Sequence, residues 1–297
     1  MNDNIDENEK KIYKRDTLIR IPLSKTKILN FQESKLLENK FGPEVLKGFL
    51  TVNLSHLYFY HYSCESVDDY GWGCAWRSMQ SVLKYQLSVT NQNKDNEISF
   101  DILFMKYGAK NKLNEIYKDM KKNKKISCAL DNLENKTFAP HDLHDGWAEP
   151  FISQLVLHDF GFEGELILVN DYPKFFYAPK EVFEKPIELS EFKELLKSHF
   201  TQKNAGPIIM DDGYSSLSVI GVKFDEENSN MQLIIMDPHA VNNPEIGLYI
   251  VKLNSINGDF IELIPNNHVC ASSCVHFSNK KPWMIYVPNE KILNNNE

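Results

Sequence analysis

The chain has 297 residues, 42% hydrophobic and 12% aromatic, enough apolar material for a packed core in one large domain or two modest ones. Its formal net charge of −8 argues against broad nucleic-acid binding, which needs a basic footprint, so no nucleic-acid partner is expected. It holds no run of about 18 apolar residues, so direct membrane insertion is not expected either.

The first 16 residues, MNDNIDENEKKIYKRD, are too polar to serve as a secretory segment. The cysteines, Cys64, Cys74, Cys128, Cys270 and Cys274, are odd in number, which predicts free thiols in a reducing, cytoplasmic setting. Residues 1–50 read as a polar N-terminal extension, partly disordered or helical, ahead of a single domain over 51–290. Periodic Leu and Phe over 27–50 predict a helix broken at Gly42-Pro43. TVNLSHLYFYHYS at 51–63 alternates and is rich in Val and Tyr, which predicts a strand. Gly71 and Gly73 end that pattern. Ala75, Met79, Val82, Leu83 and Leu87 then fall at helical spacing, so Cys74 is expected at a helix N-terminus.

Residues 88–136 read as a polar connector with one or two helices, and the run KKNKK at 121–125 reads as a solvated helix end or loop. A helix is expected over 151–161 and a strand over 165–170. A second helix over 188–200 has Ser190 as its cap and Leu189, Phe192, Leu195 and Leu196 as its apolar stripe. Strands are expected at 206–210, 216–224, 231–237, 247–253 and 282–288. Short connections between them favour antiparallel pairing. The fold class is therefore α+β, with a helical first half and a mostly antiparallel sheet in the second.

One constellation carries chemistry. A thiol at a helix N-terminus is pushed toward its reactive thiolate by the helix dipole and free N–H groups. Cys74 has that setting, in DDYGWGCAWRS. A base is found in Asp237-Pro238-His239, where residues two apart in an extended segment share a face. Pro238 holds Asp237 extended, and the carboxylate would fix the tautomer of His239 and stabilise its charged form. Acyl transfer also needs oxyanion donors. The Cys74 backbone N–H is one, and the Tyr62 hydroxyl is a candidate for the second. On these residues alone, a buried thiol in a tight turn and an Asp-Pro-His strand end remain open as structural readings.

GWGCAWRSMQ together with MDPHA resembles the Cys box and Asp-Pro-His box of the UFM-specific proteases, which process and remove the ubiquitin-fold modifier. Asp68, Asp69, Gly71, Trp72, Gly73, Cys74, Arg77, Ser78 and Gln80 match the Cys box, and Trp76 stands where the family has Tyr. The helix segment ending SQLVL is also similar. The resemblance implies a papain-like α+β fold and a thiol peptidase acting on a ubiquitin-fold modifier and its conjugates. It makes Cys74 the nucleophile, His239 the base, Asp237 its orienting acid and Tyr62 the oxyanion donor. It further implies a small-residue substrate tail in a groove roofed by aromatics, for which Trp72 and Trp147 are the candidates.

This chain departs from the pattern at Ala240-Val241-Asn242, where the family has an aromatic. It also has no histidine in DDGYSSLSVIGV. The alternatives are an autophagin-type protease, whose GWGC and Asp-Pro-His boxes are similar, and a non-catalytic adaptor that binds a ubiquitin-like protein. Cys270, Cys274 and His276 have ligand-like spacing but lack a fourth member, so no metal and no cofactor is expected.

Overall fold

The second half of the chain builds one large sheet, and the helices cover both of its faces. The structure is a computed structural model that describes residues 28–92, 94, 97–107, 115–116, 118–120, 122, 148, 150–171, 186–213, 215–224, 231–239, 247–253, 260–262 and 282–292. Trp147, Cys128, Cys270, Cys274, His276, residues 1–27 and all of the 121–125 run except Lys122 lie outside these.

The strands are β1 (Leu29–Asn30), β2 (Leu50–Thr51), β3 (Tyr58–Phe59), β4 (Phe162–Val169), β5 (Ile208–Asp211), β6 (Ser216–Phe224), β7 (Met231–Met236), β8 (Leu248–Leu253), β9 (Phe260–Glu262) and β10 (Trp283–Ile292). The longer helices are α1 (Cys74–Val89), α2 (Phe100–Tyr107), α3 (Pro150–Asp159) and α4 (Leu189–Phe200). The main sheet runs β4-β10-β5-β6-β7-β8-β9, with β2 paired to the far end of β6, and every one of these ladders is antiparallel. The α+β expectation therefore holds, with antiparallel pairing throughout this sheet.

Side chains alternate between the two faces along each strand. Ile209, Met284 and Tyr286 join the core under α1 and α3, which includes Met79, Val82, Leu83, Phe151, Leu155 and Val156. Ile208, Met210, Leu217, Val219 and Ile285 join the opposite core, with Phe192, Leu196 and Phe200 of α4. Both faces being covered, β5 and β7 are short and apolar apart from Asp211 and Gln232, and this made them readable as buried strands. Phe31, Leu36, Leu37 and Phe41 are buried in the second core, so the described part of the first 50 residues is built into the packed body. Gly42 sits at a φ of 79° between two short helices, Leu36–Phe41 and Pro43–Leu46, where the chain was expected to break.

Two expectations differ from what is observed. The segment 51–63 is no continuous strand: only Leu50–Thr51 and Tyr58–Phe59 pair, with a 3-10 turn at Leu54–His56 between them. Asn53 nucleates that turn by accepting from the Ser55 N–H at 3.1 Å. Phe59, Tyr60, His61 and Tyr62 are buried consecutively, so the Tyr-rich pattern reflects core packing and not a two-faced strand. At α4, the cap is Glu188 and not Ser190. Glu188 and Glu191 form a reciprocal capping box, leaving Ser190 inside the helix.

Candidate active site

Four chain segments meet at Cys74: the turn after β3 that carries Tyr62, the N-terminus of α1, the start of β6, and the turn that follows β7. The turn into α1 is held by a buried ionic lock. Gly73 is the N-cap, and its N–H donates to the Asp69 carbonyl at 2.9 Å. A Cβ on Gly73 would lie 2.6 Å from the Asp69 Cβ and 2.7 Å from its carboxylate, so only glycine lets the loop close on itself. The Asp69 carboxylate accepts from the Ser63 N–H at 2.8 Å and from Arg77 Nε at 2.5 Å.

Arg77, one turn into α1, also reaches the Glu65 carboxylate and Gln80 Oε1 (2.9 Å), and its guanidinium lies 4.2 Å from the Phe100 ring centroid. Gln80 in turn donates to Glu65 at 2.8 Å and to the Ile98 carbonyl at 2.9 Å. Burial works against the charge of Arg77, but its neighbours Cys64, Asp69 and Glu65 outweigh it and raise its pKa. The Cys64 thiol is pushed up to about 11, mainly by burial.

Tyr62 follows β3 in a turn. Its N–H donates to the Pro238 carbonyl at 2.9 Å, which stitches the tyrosine turn to the Asp-Pro-His segment. That segment is itself a turn: β7 ends at Met236, and the His239 N–H folds back onto Asp237 Oδ1 at 3.0 Å. The pair thus meets through an Asx turn and not through strand alternation. His239 Nδ1 lies 2.5 Å from the same oxygen, and Tyr249 on β8 donates to Asp237 Oδ2 at 3.1 Å. The His239 ring meets the Tyr62 ring edge-on at 5.1 Å.

Charge follows from these contacts. Burial opposes the charge on all three groups of the triad. For His239, the Asp237 carboxylate and the Cys74 sulfur win, and its pKa is pushed up to about 12. For Cys74, which is 6% exposed, hydrogen bonding and charge from His239, the Ser216 N–H and the Tyr62 hydroxyl win and lower the thiol. For Asp237, His239 and Tyr249 hold the carboxyl below its usual range. Cys74 and His239 therefore form a thiolate–imidazolium pair. Tyr62 is pushed far above a normal phenol, first by burial and then by the negative charge of Cys74, so it stays a donor. Its hydroxyl is buried without a hydrogen bond of ordinary length and faces the sulfur.

Cys74, His239, Asp237 and Tyr62 are thus brought together. Trp72 packs elsewhere: its ring meets Phe100 at 5.6 Å and Phe104 at 5.3 Å, and its Nε1 donates to the Asp68 carbonyl at 3.3 Å, so it ties α2 to the cysteine turn. Sequence reasoning named Asp69 and Arg77 only as matches to the Cys box, without a role, and did not pick out Glu65, the Ser216 N–H or Tyr249. The i, i+3 pairing of Arg77 with Gln80 was the one signal for the lock. Nothing local marked Ser216 or Tyr249, because each arrives from another strand.

Among known proteins, residues 50–258 match the sequence model of Peptidase family C78. Ufm1-specific protease 2 of Gallus gallus is 23% identical over 217 residues, covering 72% of this chain and 38% of that protein. The Homo sapiens protein of the same name is 22% identical over 212 residues, covering 71% and 36%. The chain thus spans under two fifths of the length of these relatives. A crystal structure of UfSP from C. elegans superposes with a TM-score of 0.50 at 14% identity, covering 92% of this chain and 39% of that one, a likeness of fold consistent with the papain-like α+β class. With 209 of its 297 residues inside the family match, the chain belongs to Peptidase family C78.

Proposed function

We propose that this chain is a thiol peptidase that cleaves after the C-terminal glycine of a ubiquitin-fold modifier, in precursor maturation, deconjugation or both. The observation that carries this reading is the thiolate–imidazolium pair of Cys74 and His239 set against a buried Tyr62 hydroxyl that faces the sulfur. The names of the relatives supply the substrate class.

In the proposed reaction the Cys74 thiolate attacks the glycine carbonyl. The oxyanion is received by the Tyr62 hydroxyl and by the Cys74 N–H, which has no intrahelical partner at the first position of α1. His239 gives its Nε2 proton to the leaving amine, and a thioester remains. Water, deprotonated by His239, then releases the acid. Asp237, fixed by Tyr249, keeps Nδ1 protonated throughout.

The testing experiment is side-by-side cleavage of ubiquitin-fold modifier, autophagy-type modifier and ubiquitin C-terminal fusions. Preferential release of the first supports the reading. Preference for the second moves the assignment to an autophagin-type enzyme. Binding without cleavage, and without a covalent adduct at Cys74 from a glycine-terminated reactive probe, identifies an adaptor. Within the reading, Tyr62→Phe is expected to lower kcat about 10²- to 10³-fold with KM little changed, as loss of one oxyanion donor does. Steady-state kinetics on the preferred fusion check this, and an unaltered kcat removes Tyr62 from the role.

A further inference from the structure

His239 and Tyr62 address the Cys74 sulfur with side chains, whereas Ser216 does so with its backbone N–H. The direction of that N–H is set by the peptide unit it shares with the Ser215 carbonyl. The unit is planar and trans, so the two groups point to opposite sides. The Ser215 carbonyl accepts from the Asp212 N–H at 3.4 Å, on the side of β5. The Ser216 N–H therefore points away from β5, where β7 would lie if it were longer. β7 ends at Met236, opposite Ser218, and the Cys74 sulfur takes the N–H instead.

The turn between β5 and β6 is built on two carboxylates. Asp211 Oδ1 accepts from the Gly213 N–H at 2.7 Å, and Asp212 Oδ1 accepts from the Ser215 N–H at 2.9 Å. Asp212 thus grips both main-chain groups of Ser215, one with its own N–H and one with its side chain. Asp211 and Asp212 are only 4% and 6% exposed. Burying a carboxylate costs free energy, and a solvated Asx turn would close the same hairpin without that cost. The buried acceptor at 212 has a use beyond the turn if it keeps the next N–H on the sulfur.

We propose that Asp212 is a positioning residue for Cys74: its grip on Ser215 holds the Ser216 N–H against the sulfur and so stabilises the thiolate. This rests on Cys74 being the nucleophile of the proposed peptidase. It adds a residue that touches neither the substrate nor the sulfur, and that acts through one peptide unit.

The test is the pH profile of Cys74 alkylation in the full chain, with the label assigned by peptide mapping. Asp212→Ala is expected to move the acid limb of the profile up by about one pH unit, a tenfold lower rate there, the size of one hydrogen bond to a charged group. Asp212→Asn keeps an acceptor oxygen for the Ser215 N–H and is expected to restore the wild-type limb. Should Asp212→Ala be too unstable to purify, Asp212→Ser serves, since its hydroxyl accepts more weakly and should shift the limb part of the way. An unmoved limb in the Ala or Ser variant, whatever its urea midpoint, overturns the inference, because the turn then serves only the fold. So does an Asp212→Asn limb displaced as far as that of Asp212→Ala, which would make charge and not the grip responsible. Alkylation reads the sulfur whether or not a modifier is cleaved. A shifted limb with no fusion cleaved therefore fails the peptidase reading alone, and cleavage with an unmoved limb fails this inference alone.

Discussion

His239→Gln is expected to lower kcat by about 10³- to 10⁴-fold and to remove the reactivity of Cys74 at neutral pH. In the wild type, burial alone would raise the thiol, and His239 reverses the sign. The ion pair exists between the lowered pKa of Cys74 and the raised pKa of His239. It is lost at low pH when the thiolate is protonated, and near pH 12 when the imidazolium gives up its proton. Alkylation of Cys74 by iodoacetamide should therefore rise at a lower pH than for an ordinary thiol and hold well into the alkaline range.

With Gln at 239, only desolvation and the two weaker donors remain. The profile should then become a single rise near or above the ordinary thiol pKa of about 8.5. Peptide mapping by mass assigns the label to Cys74. Cys64 gives an internal contrast, since its thiol is pushed up to about 11 and should stay unlabelled at neutral pH. Superimposable profiles for wild type and variant would show that His239 does not activate the sulfur. Asp237→Asn should fall between the two, because it removes the charge that holds His239 protonated.

How far the sequence reveals this site depends on how local each contact is. The helix at Cys74 and the strands at 216–224 and 231–236 were legible because their signals lie inside single windows of apolar residues. The pairing of Asp237 with His239 was legible in outcome but not in cause, since an Asx turn and an extended strand both bring residues two apart together. Tyr62 was named as a candidate oxyanion donor, yet its placement comes from a backbone bond to Pro238, far along the chain, that no local pattern encodes. The failure over 51–63 has the same origin: tertiary burial of four successive residues overrode the strand propensity of Tyr and Phe. The short strand β9 gave no readable signal at three residues.

The ionic lock under the cysteine turn supplies the second large effect. Arg77→Met is expected to destabilise the fold by about 3–5 kcal/mol, because it leaves the Asp69 carboxylate buried with no countercharge. The Asp69 and Arg77 side chains are both 0% exposed, and burying an unpaired charge costs far more than the pair itself contributes. Glu65→Gln should cost much less, about 1 kcal/mol. Glu65 keeps 19% of its side chain in solvent, and an amide oxygen still accepts from Arg77 and Gln80.

Urea unfolding monitored by tryptophan fluorescence checks both variants: the Arg77→Met midpoint should fall steeply at constant slope, and the Glu65→Gln midpoint only slightly. Should Arg77→Met be too unstable to purify, the double variant Arg77→Met/Asp69→Asn keeps the idea testable. It removes the stranded charge, leaves an amide oxygen for the Ser63 N–H, and should recover part of the lost stability. Equal destabilisation by Arg77→Met and Glu65→Gln, or no recovery in the double variant, would show that packing against Phe100, and not charge compensation, is what Arg77 provides. The lock also bears on function. Asp69 closes on Gly73, and Gly73 is the residue from which α1 presents Cys74, so any variant that frees Asp69 should loosen the thiol before it unfolds the sheet.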